Sequence, residues 1–205
     1  MKAQTQVVSI IIIVAIALGA LSLVLPWTYG MIQKKKDMKS LDDVYYFFQD
    51  LDENIRDVAK NGGEKTLTLD VPGIFAVYPE SSNSAFNNSI SFNFTSKVSN
   101  IAVGDWIPLN TPNMNVTATL GVDTSSVIFG RANRIGDQIL IQYRVWFREL
   151  DDQSGKAYKI FLNTTDNNPK TSTTGYIRIQ RIGSKEIPIT GKTLTITEIN
   201  IIVWK

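Results

Sequence analysis

The sequence predicts an α+β protein: a long N-terminal transmembrane-type α-helix followed by an antiparallel β-sandwich head. Three observations carry this expectation. No residue from Ala3 to Gln33 has a charged side chain, and the run from Val7 to Leu25 is almost wholly apolar. An apolar stripe at alternating spacings of three and four then passes through Leu41, Val44, Phe48, Leu51, Ile55 and Val58, the period of one helical face. Beyond Glu64 apolar and polar residues alternate, as they do in strands with one dry and one wet face.

Composition narrows the function. The chain has 205 residues with 21 basic and 19 acidic side chains, and neither His nor Cys. Only Lys2 precedes the apolar run, so the remainder carries 20 basic against 19 acidic groups, a net +1. Such a balance provides no basic footprint for nucleic acid. Without His and Cys, neither Ser-His-Asp nor Cys-His catalysis nor a His/Cys zinc site can be built. No glycine-rich phosphate loop is present. The expectation is a non-enzyme without a cofactor.

The polar leader Met1–Gln6 is very short and holds one lysine. Ala15-Ile16-Ala17 offers a small-residue cleavage site of the secretory kind. The chain nevertheless stays apolar through Leu18, Leu21, Leu23, Val24 and Leu25, which favours a retained segment. About 20 such residues at ~1.5 Å each cross the ~30 Å core of a bilayer. Ala15 and Gly19, four apart, permit close approach of a second helix. The residues expected to span or assemble are Val7, Ile10, Ile13, Val14, Ala15, Gly19, Leu21 and Leu25. Pro26 interrupts the pattern beside Trp27 and Tyr29, residues suited to a membrane–water boundary. It predicts either the end of an anchor or a helix kink.

Lys2-Ala3 followed by Gln4-Thr5-Gln6 and the apolar run resembles the amino terminus of archaeal type IV pilin-like proteins. The resemblance implies a cut between Ala3 and Gln4 and a long helix retained in the mature chain. The family's pattern after the cut is Gln, any, Ser, any, Glu; here Gln4 matches, while Gln6 and Val8 stand at the Ser and Glu positions. The implied organisation is a leader at 1–3, an apolar filament-core or transmembrane helix at 4–33, an amphipathic continuation at 34–62 and a head at 64–205. Membrane lipid, copies of the chain itself and an export and leader-processing machinery are the implied partners. A single-copy membrane-anchored module, binding glycan or protein through loops such as 81–88, is the alternative.

Lys34, Lys35, Lys36 and Lys39 follow the apolar run. Positive-inside bias would put them, and the head, in the cytoplasm. A head rich in Thr, Asn and Ser points outward, and that placement is preferred: one helix in the cell membrane, the head extracellular. The stripe from Leu41 to Val58 is too short for a free coiled coil and is expected to pack on the head's own sheet, with Asp50, Asp52 and Glu53 off it and unburied. Asn61-Gly62-Gly63 should end the helix.

Period-two alternation marks strands at Leu67–Val71, Ile74–Tyr78, Ile90–Thr95, Asn115–Leu120 and Ile139–Phe147, then at Tyr158–Leu162, Tyr176–Ile182 and Thr193–Val203. In the last, the apolar set slips from Leu194 and Ile196 to Ile199, Ile201 and Val203, predicting a bulge near Thr197-Glu198. Seven to ten such strands suit a sandwich, with loops at 81–88 and 163–174. Arg144 and Arg148 share a predicted outer face. Asp151-Asp152-Gln153-Ser154-Gly155 and Asp166-Asn167-Asn168 read as solvated turns rather than calcium sites. N-x-[ST] triplets at Asn87, Asn93, Asn115 and Asn163 are candidate N-glycosylation sites, Asn93 and Asn115 on polar strand faces. Chance alone would give two or three.

Overall fold

The computed structural model describes residues 2–173 and 175–204, with side-chain surroundings from residue 10 onward. One helix, α1 (Lys2–Asn61), takes the first 60 described residues without a break, about 90 Å of rod at 1.5 Å per residue. It ends as its sequence dictates: Gly62 and Gly63 take φ of 80° and 86°, which glycine adopts without a Cβ clash, and the Gly62 N–H returns to the Val58 carbonyl at 2.9 Å.

The helix runs through Pro26 without a break, so the chain does not melt there. Pro26 has no N–H to offer the turn before it. Hydroxyls on either side bond within the helix, Ser22 Oγ to the Leu18 carbonyl at 2.8 Å and Thr28 Oγ1 to that of Val24 at 3.0 Å. The expected two-part stem is one continuous element.

Among the described residues twelve strands follow, in two six-stranded sheets. The first holds β1 (Glu64–Thr68), β5 (Thr117–Thr119), β8 (Glu149–Asp151), β9 (Lys156–Asn163), β11 (Tyr176–Ile189) and β12 (Lys192–Trp204), in the order β1-β11-β12-β9-β8-β5. The second holds β2 (Ile74–Tyr78), β3 (Ser89–Ser96), β4 (Ile107–Pro108), β6 (Ser126–Ile135), β7 (Gln138–Phe147) and β10 (Lys170–Thr173), in the order β10-β2-β3-β7-β6-β4. Pairing is mostly antiparallel; β12 with β9 and β5 with β8 run parallel, which alternation within single strands does not reveal. The predicted loop over 163–174 contains the edge strand β10, paired to β2.

The heptad stripe is the centre of the core. Leu41, Val44, Phe48, Leu51, Ile55 and Val58 are all buried, in one cluster with Phe92, Ile141 and Val145 of one sheet and Leu162, Ile179 and Ile199 of the other. Phe48 stacks on Tyr143 with ring centroids 5.8 Å apart. The second half of α1 therefore packs on both sheets at once, and the head cannot be assembled without it. At a close approach of a different kind, a Cβ on Gly73 would stand 2.2 Å from Phe92 Cζ.

Three strand expectations shift. The first strand, expected at Leu67–Val71, lies at Glu64–Thr68, and Leu69 and Val71 are buried beyond its end. At 115–120 only Ala118 is buried, Val116 and Leu120 lie in solvent, and the strand shrinks to Thr117–Thr119. The phase slip in β12 is genuine, but the extra residue sits on its partner: the register breaks between Arg181 and Gly183 of β11, opposite Ile199 and Glu198. β12 itself pairs with β9 without interruption from Thr193 to Asn200. Its apolar residues change face because the surface needing cover changes: Ile199 and Ile201 enter the main core, whereas Leu194 and Ile196 join Ala157 in a second small cluster.

Candidate functional site

The largest unexplained feature is the first half of α1. From Ile10 to Leu25 every large apolar side chain is at least half exposed, and none of the residues in its most apolar 18-residue window is buried. Ile10, Ile13, Val14, Leu21 and Leu25 are exposed, and Ala15 and Gly19 lie on the same bare rod, with nothing within 4 Å of where a Cβ on Gly19 would stand. Apolar side chains in this run face all directions, a pattern that water does not tolerate over such a length. The helix is long and apolar enough to cross a membrane. The side chains of Ala3, Gln4 and Val7, the cut and the first assembly position, lie outside the described residues.

Trp27 and Tyr29 are both exposed just past Pro26, and Lys34, Lys35, Lys36 and Lys39 follow in solvent. The head first touches the helix here. Asp37 accepts hydrogen bonds from Gln33 Nε2 and from the backbone N–H of Lys97, each at 2.9 Å. A shallow cavity of about 330 Å³ between Tyr29, Gly30, Gln33, Lys34 and the Lys97–Val98 loop marks the junction.

Among the sequon residues, Asn87 and Asn115 are exposed, and Asn93 and Asn163 are half-buried. Asn93 is tied by its Oδ1 to Gln142 Nε2 at 3.2 Å. Asn115 precedes β5 rather than lying on a strand face. The residue after Asn87 matters more than the sequon: Asn88 is fully buried at φ 54°. Its Nδ2 donates to the carbonyls of Phe147 at 2.9 Å and Ile160 at 2.7 Å, and its Oδ1 accepts the Leu162 N–H at 2.8 Å. One amide thus joins β7 of one sheet to β9 of the other. Only the tolerance of Asn for the left-handed region hinted at this.

The two arginines placed together by alternation part company. Arg148, expected outside, is fully buried. Its Nε donates to the Thr124 carbonyl at 3.0 Å and its Nη1 to those of Asn113 and Asn115 at 2.8 and 3.2 Å, so it holds the loop before β6 in place. Burial lowers its pKa, partly offset by Asp123. Arg144 stays on the outer face of β7, with Cζ 3.8 Å from the Phe86 ring centroid and 4.2 Å from that of Trp106. Burial lowers its pKa to about 10.

Asp52 is also corrected: it is buried, on the edge of the stripe. Its Oδ2 takes the Arg56 guanidinium at 3.0 Å while its Oδ1 has no partner. Burial raises its pKa, against the lowering by Arg56 and the nearby Ser126 hydroxyl. Asp50 and Glu53 are exposed. Asp152 bonds the backbone of Ser154 and Lys156, and Asp166 pairs with Lys170 at 2.8 Å, the geometry of turns. Among the described residues no three His, Cys, Asp or Glu side chains are grouped to hold a metal. A cavity of about 340 Å³ lies near the far end of α1 between Ala59, Leu120, Leu150, Tyr158 and Ile160; its walls are mainly apolar and converge on no reactive group. No family model, no curated protein and no solved structure matches the chain.

Proposed function

We propose that the chain is a structural subunit of a type IV pilus-like surface filament of archaeal kind, inserted through its N-terminal helix and polymerised by it. The observation that carries this reading is the division of α1: one half is consumed as the head's core, and the other is apolar on every side with nothing covering it. A bilayer covers it in the inserted chain, and copies of the same helix cover it in a filament. Burial of a stem this size amounts to tens of kcal/mol gross at ~25 cal/mol per Å² before entropy is counted, enough to dominate contacts between heads. The head, a sandwich-type body held in water outside the cell, then decorates the assembly.

Full-length protein, purified in detergent and then stripped of it, should form sedimentable polymers visible by electron microscopy. Ile13→Asp should abolish them with head stability unchanged. The mature amino terminus, read by mass spectrometry, should begin at Gln4. A dispersed single copy after detergent removal refutes assembly, and an intact Met1 in membrane-extracted protein supports the single-copy anchor instead.

A further inference from the structure

We propose that the outer face of the second sheet carries a binding site for an acidic saccharide, centred on Arg144. This holds whether the chain is anchored singly or assembled. Arg144 projects from the middle of β7 and is stacked against Phe86 of one loop and Trp106 of another. No carboxylate lies within salt-bridge range of it among the described residues. The other titratable groups that act on it are Tyr78 and Arg131, neither of them a carboxylate. Its Nε is buried without a hydrogen-bond partner.

A second cation, Arg131 of β6, lies over the same Trp106 ring at 5.9 Å and, among the described residues, bonds only the Asn133 amide. Two guanidiniums thus sit on one face beside aromatic rings with no anion between them. Desolvating a charge without a counterion is costly, and stacking offsets only part of that cost. A forked guanidinium fixed by rings is arranged to take a carboxylate through two N–H groups.

A cavity of about 130 Å³ opens beside Arg144, lined by Phe86, Phe129 and Trp146 with Asn87 and Ser89. It has room for about four waters, the scale of one small ring. Aromatic walls suit the C–H faces of a pyranose, and the Asn87 amide suits its hydroxyls. A pit of this size does not fit an extended acidic peptide, and the head's near-neutral charge provides no track for nucleic acid.

The test uses the full chain in detergent micelles, made in a host that leaves Asn87 unmodified. Trigalacturonate is titrated by calorimetry and tryptophan fluorescence, with maltotriose and glutarate as controls. Saturable binding below about 1 mM is expected, with neither control matching it. Arg144→Lys should weaken binding at least tenfold with an unchanged melting point. Arg131→Gln, at a half-exposed position, should weaken it several-fold and decides the matter if Arg144→Lys unfolds. The proposal is overturned if trigalacturonate does not saturate, if maltotriose or glutarate binds as well, or if the folded variants bind like the parent chain.

Discussion

Replacing Phe48 with Ala separates the two halves of α1. Phe48 is fully buried; it stacks on Tyr143 and meets Phe47 edge-on at 5.9 Å. Truncating a buried Phe to Ala costs about 3–5 kcal/mol, the lost transfer energy plus the cavity left behind. The aromatic contacts are part of that figure. For a head of this size each kcal/mol moves the melting midpoint by about 2–4 °C, so a fall of about 6–20 °C is expected. The assay is thermal unfolding of the full chain in detergent, followed by near-UV circular dichroism, which reports the packed aromatics. Tyr46→Ala, two residues earlier and facing solvent, and Ile13→Ala in the stem should each shift the midpoint by less than about 2 °C. A Phe48→Ala midpoint within that margin would refute the claim that the second half of the helix is the head's own core.

Two further outcomes follow from buried polar groups. Asp52 has a raised pKa in the folded chain, so the native state binds its proton more readily than the unfolded one and this group's contribution to stability rises as pH falls through its folded pKa. Asp52→Asn, which mimics the protonated form, should melt above the parent at pH 7, with the gap closing towards the ordinary value of 3.8; a gap that widens on acidification contradicts the assignment. Asn88→Ala removes three buried hydrogen bonds and places Ala at φ 54°, so a loss of about 3 kcal/mol or more in urea unfolding is expected, against almost none for Asn87→Ala.

What was legible in the sequence was whatever a period could carry. The stripe from Leu41 to Val58 and the alternation through Ile139–Phe147 each state which face is dry, and those faces are dry. Period failed where one residue's role depends on another part of the chain. Arg148 continues the outward alternation of Gln142 and Arg144, yet it lies just past the end of β7, where the strand's face rule lapses and loop carbonyls close over it. Asp52 is one residue off the stripe, and its burial depends on the neighbouring β6. The slip in β12 was read in the right place, but the extra residue belonged to β11, because pairing makes the irregularity of one strand visible in its neighbour. Alternation placed Arg144 on the outer face, where it is, but gave no sign of its ring partners, since Phe86 and Trp106 reach it from separate loops.

Continuity through Pro26 changes what the stem can transmit. A proline inside a helix costs about 3 kcal/mol where nothing compensates, and a chain free to bend would bend there. Here the helix is committed on both sides: residues 41–58 are locked between the sheets, and residues 10–25 demand apolar surroundings. The stretch between them, 26–40, therefore sets how the head is held relative to the rod. Its main polar tie to the head is Asp37, which takes the Lys97 N–H and is steadied by Gln33 one turn earlier. A single carboxylate beside four exposed lysines is a weak clamp at a water boundary. The orientation of the head rests on the stiffness of the helix more than on that contact, and the proline stands where that stiffness is cheapest to lose.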